Sequence, residues 1–233
     1  MQLPSRSTGL LLLIVALLLP PGIHALHDAG ALPSARPRVL LIGDSISKGY
    51  APYVRLLMMR DTRVYWPEEN CHATVDGLAN LDRWLGDEPW DVIHFNFGLH
   101  DLKWLEDGRL AMPGRGAQNV RVAEYEANLD RIVTRLEATG ATLVWATTTP
   151  VPRGARGRAH GDAARYNAAA ARVVARHGIA VDDLHAYISP DLTRYQKPDD
   201  VHFTRHGYFR LARQVADSLQ EALRPSPEAP PQA

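Results

Sequence analysis

The 233-residue chain reads as an α/β protein. The expected architecture is three-layer α/β/α and flavodoxin-like, around a central parallel sheet of about five strands. Three observations predict it. Short apolar β-rich runs alternate along the chain with amphipathic helical stretches, which requires right-handed crossovers and a parallel sheet. Val39–Ile42 is an unbroken apolar run, as a strand buried on both faces must be. The turns after the strands gather Gly, Asp, Ser, Asn and His, and the carboxyl ends of the strands are where open α/β sheets place their chemistry.

The first strand stops at Gly43-Asp44-Ser45, and Gly49 to Arg60 reads as a helix. Thr62–Trp66 is a short second strand ended by Pro67, followed by the polar, irregular Glu68–Asp76. After Gly77, the residues Leu78, Leu81, Trp84 and Leu85 mark one apolar helical face. Trp90–Phe97 is the next strand, stopping at Gly98-Leu99-His100-Asp101. Leu102–Gln118, with Gly108, Pro113, Gly114 and Gly116, reads as a long surface loop beside the site. Val120–Ala138 is a helix closed by Gly140, and Thr142–Thr149 a strand ended by Pro150. A Gly- and Arg-rich loop, 153–161, precedes the Ala-rich helix Ala163–His177, the short strand Ile179–Val181 and a final helix, Thr204–Leu223.

Both ends fall outside this pattern. Residues 1–25 read as a secretory signal peptide: Arg6, then the ten-residue apolar block Leu10–Leu19, then Pro20-Pro21-Gly22 and small residues near Ala25. The block is shorter than the roughly 20 apolar residues that span a bilayer, so no stable membrane span is expected after cleavage. The expected location is secreted or periplasmic. Residues 225–233 are a Pro-rich, polar tail that reads as disordered. Residues 36–224 remain, enough for one domain with one core.

Composition excludes several classes. The formal net charge is zero, which offers no electrostatic basis for nucleic-acid binding. No GxGxxG follows a strand and no Walker-type GxxxxGK[ST] occurs, so no nucleotide cofactor is expected. Cys71 is the single cysteine, which rules out an intrachain disulfide and reads as a partly buried, inert free thiol. His202 and His206 stand i, i+4, but a helix begins between them, so no metal site is expected. His72, His94, His177 and His185 have no evident partners and read as surface or satisfied core residues.

Ser45 follows the first strand, and Asp199 stands three residues before His202 on a loop opened by Lys197-Pro198. A serine hydroxyl is a weak nucleophile until a base takes its proton, and the base needs an orienting acid. The bland reading of Asp44 and Ser45 is a helix cap. Asp200 competes with Asp199, and the three-residue spacing selects Asp199. Arg153, Arg156 and Arg158 read either as a solvated loop or as a site for an anionic group such as a uronate.

In this order the motifs resemble those of SGNH/GDSL-type esterases, especially acetylesterases. Gly43-Asp44-Ser45-Ile46 is similar to the family's first block and Gly77 to its second-block glycine. Gly98-Leu99-His100-Asp101 is similar to its third block, and Asp199-Asp200-Val201-His202 to its fifth. The resemblance implies Ser45 as nucleophile, His202 as general base and acid, and Asp199 as the orienting acid. It implies an oxyanion hole from the N–H groups of Ser45 and Gly77 and the side chain at position 100. That side chain is normally Asn; here it is His100, and a neutral imidazole donates one N–H. Asp44 and Asp101 would support the turns, and Asn96 reads as a satisfied turn residue. The implied function is an exported serine esterase that needs no cofactor. It would hydrolyse small acyl, especially O-acetyl, esters on a small-molecule or glycan substrate. The alternatives are a lipase or thioesterase on longer chains, or a non-catalytic carbohydrate-binding relative.

Overall fold

The computed structural model describes residues 36–224. The expected signal peptide and the Pro-rich tail lie outside the described residues. In chain order the elements begin β1 (Arg38–Ile42), α1 (Ser45–Met58), β2 (Arg63–Tyr65), α2 (Thr74–Leu85) and β3 (Val92–Phe95). A small antiparallel unit follows: β4 (Trp104–Glu106), β5 (Arg109–Leu110) and β6 (Ala117–Gln118). Then come α3 (Val122–Glu137), β7 (Thr142–Ala146), α4 (Asp162–Arg176) and β8 (Ala180–Asp182). The chain closes with α5 (Leu184–Ile188), a 3₁₀ turn (Ser189–Asp191), α6 (Leu192–Tyr195) and α7 (Arg205–Ala222).

The main sheet has five strands in the order β2-β1-β3-β7-β8, and every pairing is parallel. This bears out the expected fold. Helices α1 and α7 pack on one face, and α2, α3 and α4 form a row on the other. The central strands are therefore covered twice, which is why β1 from Val39 onward and all of β3 are buried. Trp145, Phe95, Phe97, Tyr125 and Tyr166 are among the largest buried side chains between the layers. The chain order reverses between β1 and β3, and that switch point is where the crevice of such a sheet opens. Ser45 lies at the carboxyl end of β1 and His100 beyond the end of β3, one on each side of the crevice.

Two departures from the sequence reading matter for the site. The segment expected as a loop over Leu102–Gln118 forms a three-stranded antiparallel sheet, in the order β5-β4-β6. Its tight turn is Asp107-Gly108, both at positive φ (50° and 73°) between the paired Glu106 and Arg109. That is the two-residue primed turn for which Asp-Gly is the strongest short-range signal. The other departure is α2, which begins at Thr74 rather than after Gly77.

Candidate active site

Helix α1 starts at the nucleophile candidate itself. Asp44 is its N-cap, with Oδ1 accepting the Ile46 N–H at 2.8 Å, and Ser45 is the first helical residue. The capping and nucleophile readings of Asp44-Ser45 are thus compatible: the cap fixes the turn that presents the hydroxyl. First-turn N–H groups have no partner within the helix and carry the positive end of its dipole. Among the described residues the Ser45 N–H makes no hydrogen bond, as befits a first-turn donor at the start of α1.

Ser45 Oγ lies 2.9 Å from His202 Nε2, and His202 Nδ1 lies 2.7 Å from a carboxylate oxygen. That carboxylate belongs to Asp200, and the expected acid, Asp199, is elsewhere. The reason is local. Asp200 donates its N–H to the Lys197 carbonyl, closing a turn with Pro198 second and Asp199 third at φ +54°. A turn of this shape needs a left-handed residue in the third place, which aspartate tolerates. The turn directs Asp199 to the surface beside Gly154, where any Cβ would collide with Asp199 Oδ1. Asp200 instead folds back, accepting both the ring N–H and the backbone N–H of His202, the latter at 3.2 Å. Partial burial works against ionisation of Asp200, but the hydrogen bonds from His202 and the His202 and Lys197 charges prevail and hold its carboxyl below the usual range. With Nδ1–H committed to Asp200, the His202 lone pair on Nε2 is free to take the Ser45 proton.

Gly77 is not part of this site. It lies inside α2, donates its N–H to the Ala73 carbonyl at 3.0 Å, and is packed against the core. A Cβ there would come within 2.9 Å of both Ile132 Cδ1 and Phe97 Cζ, so the glycine serves helix packing. The chain that does approach the nucleophile turn is Asn70–Ala73: the Cys71 N–H donates to the Gly43 carbonyl at 3.2 Å. The left-handed residue in that segment is His72, at φ +51°, a conformation usually given to glycine.

His100 faces His72. Their Nδ1 atoms are 3.2 Å apart and their rings meet edge to face, with centroids 4.8 Å apart. Burial pushes the His100 pKa down to about 3, helped by the charges of Lys103, Arg158, His72 and His202. His100 is therefore neutral near pH 7 and has one N–H to give. The sequence offers His72 no evident partner, because the contact joins loops 28 residues apart.

The third-block loop is pinned from several sides. Asp101 Oδ1 accepts the Thr74 N–H at 2.8 Å and the Thr74 hydroxyl at 2.5 Å, tying this loop to the start of α2. Burial pushes the Asp101 carboxyl up to about 7 despite those two bonds. Asn119 donates to the His100 carbonyl at 3.0 Å. Of the three arginines, only Arg158 turns inward, its Nε donating to the Leu99 carbonyl at 2.9 Å, while Arg153 and Arg156 are exposed. Asp44 is buried, and desolvation raises its carboxyl in spite of the Ile46 bond and the Arg158 and His202 charges. Asn96 donates to the Ala146 carbonyl at 2.7 Å, bridging two strands as a satisfied residue. The Cys71 thiol is buried and pushed up to about 12, so it is no nucleophile. Both His202 nitrogens are engaged by Ser45 and Asp200, which leaves none to pair with His206. Among the described residues no cluster of metal-ligating side chains occurs.

A family model described as the GDSL-like lipase/acylhydrolase family matches residues 41–210. The chain belongs to that family. Membership makes it a carboxylic ester hydrolase, as the SGNH/GDSL resemblance implied. No curated protein matches it at the sequence level. Among solved structures it is similar to a lipase/acylhydrolase from Enterococcus faecalis, at 22% identity and a TM-score of 0.67, covering 82% of this chain and 99% of that one. It is also similar to Axe2, an acetylxylan esterase from Geobacillus stearothermophilus, at 18% identity and a TM-score of 0.65, over 81% and 95% of the chains. A third, from Slackia heliotrinireducens and described as a candidate SGNH hydrolase, aligns at 19% identity and a TM-score of 0.60, over 79% and 100%.

Proposed function

We propose that this esterase is exported and removes O-acetyl groups from a carbohydrate through a Ser45–His202–Asp200 acyl-enzyme mechanism. The observation that carries the mechanism is the run of contacts from Ser45 Oγ through both His202 nitrogens to Asp200, at 2.9 and 2.7 Å. Ser45 Oγ attacks the ester carbonyl carbon as His202 Nε2 takes the hydroxyl proton. The oxyanion forms against the Ser45 N–H and the His100 Nε2–H, within reach of the positive end of α1. Collapse expels the sugar oxygen, which receives the proton from His202. Water, deprotonated by His202, then attacks the acetyl-serine, and acetate leaves with Ser45 restored. Asp200 stays ionised throughout and holds the ring in the working tautomer.

The glycan acetyl ester rests on two supports: the acetylxylan esterase activity named for structural neighbours, and the secretory character of residues 1–25. A second reading, hydrolysis of longer acyl chains, is favoured by Leu110 and Met112, which are 50% and 69% exposed on and beside β5. One set of assays separates the two: acetate release from acetylated xylan and other acetylated glycans, and hydrolysis of acetyl against octanoyl esters. Wild type is expected to prefer acetyl, and Ser45→Ala to lose activity by at least about 10³-fold. Equal rates for wild type and Ser45→Ala overturn the mechanism, and a preference for octanoyl overturns the substrate.

A further inference from the structure

An Nδ1–Nδ1 contact of 3.2 Å between two imidazoles holds one proton, because one nitrogen must donate and the other accept. The neutral ring has two tautomers, and the partner of one nitrogen decides which atom keeps the hydrogen. If His100 donated to His72, its other nitrogen would meet the substrate as a lone pair and repel a developing oxyanion. If His72 donates, His100 keeps its proton on Nε2 and presents an N–H.

We propose that His72 is a positioning residue: its Nδ1–H donates to His100 Nδ1 and so fixes the Nε2–H tautomer that oxyanion binding requires. The inference rests on the reading of His100 as an oxyanion donor. Three features, two on the 70–73 segment and one at Asn119, serve this arrangement. The His72 backbone sits at φ +51°, a costly place for a residue with a side chain, and strain of this kind collects at functional sites. Asn70 Oδ1 holds that conformation by accepting the His72 N–H at 2.9 Å. On the other side, Asn119 fixes the His100 carbonyl, so both rings approach from anchored backbones. His72 is exposed and His100 half-buried, so the outer ring completes its own hydrogen bonding in water, while the inner ring feels the charges of His202 and Arg158.

The test is His72→Gly, a substitution suited to the left-handed backbone and therefore expected to keep the fold and thermal stability. Against an acetyl ester, kcat is expected to fall about 10- to 100-fold, short of the full loss of an oxyanion donor, with KM little changed. Added imidazole is expected to restore part of kcat, which a merely structural role would not allow. Nitrogen-15 spectra of the wild type should show the His100 proton on Nε2, and the His72→Gly spectra a mixture. In a His100→Asn background, where an amide donates without a choice of tautomer, His72→Gly should have no further effect. An unchanged kcat in folded His72→Gly, or a His100 proton found on Nδ1 in the wild type, overturns the inference. Those outcomes differ from failure of the functional reading, which would show as a wild type no faster than Ser45→Ala.

Discussion

At the scale of single residues, the site depends on which carboxylate reaches which nitrogen. Asp199 and Asp200 are adjacent in sequence, yet a left-handed backbone at Asp199 sends their side chains apart, and only Asp200 meets His202. Asp200→Asn should lower kcat by at least about 10²-fold by removing the acceptor that sets the His202 tautomer. Asp199→Ala should leave kcat nearly unchanged, and steady-state kinetics on one acetyl ester compares the two. Equal losses would restore Asp199 to the site. Ser45 and His202 were legible because a nucleophile after a first strand and a base before a last helix are set by chain order. The acid was not, because the choice between neighbours is made by one φ angle inside a turn opened by Pro198.

Among the elements, α2 shows how a boundary decides a role. Its start at Thr74 places Gly77 within the helix, where its N–H is spent on Ala73. Gly77→Ala should therefore cost about 1–3 kcal/mol by crowding Ile132 and Phe97, while kcat per folded molecule is retained. Denaturant titration and active-site titration measure the two halves; a lost kcat at full folding would return Gly77 to the oxyanion hole. The helix starts before its apolar face does, because Thr74 is held by Asp101 from 27 residues away. Long-range bonds of this kind leave no periodic trace. The alternation of strand and helix did leave one, so the layers and the parallel sheet could be expected from the pattern of apolar residues. The β4–β6 unit lay between: its Asp107-Gly108 turn was readable, but its strands are only two or three residues long.

For the molecule as a whole, the half-buried His100 and the buried Asp101 give stability opposite slopes with pH. His100 has its folded pKa pushed from 6.5 to about 3, so the unfolded chain binds the extra proton and stability is lost as pH falls through that window. Asp101 has its folded pKa pushed from 3.8 to about 7, so the folded chain holds the extra proton and stability is lost as pH rises toward 7. Melting curves at pH 7 and pH 4 should show His100→Asn losing less stability than wild type on acidification, and Asp101→Asn losing more. The reverse order would contradict both burial effects. Cys71 offers a separate handle on the same region. Its side chain is fully enclosed and its N–H is tied to Gly43, beside the nucleophile turn. A thiol so placed reacts with an aromatic disulfide reagent only when the 70–73 segment swings clear, so its labelling rate under native conditions is a clock for the breathing of the catalytic crevice.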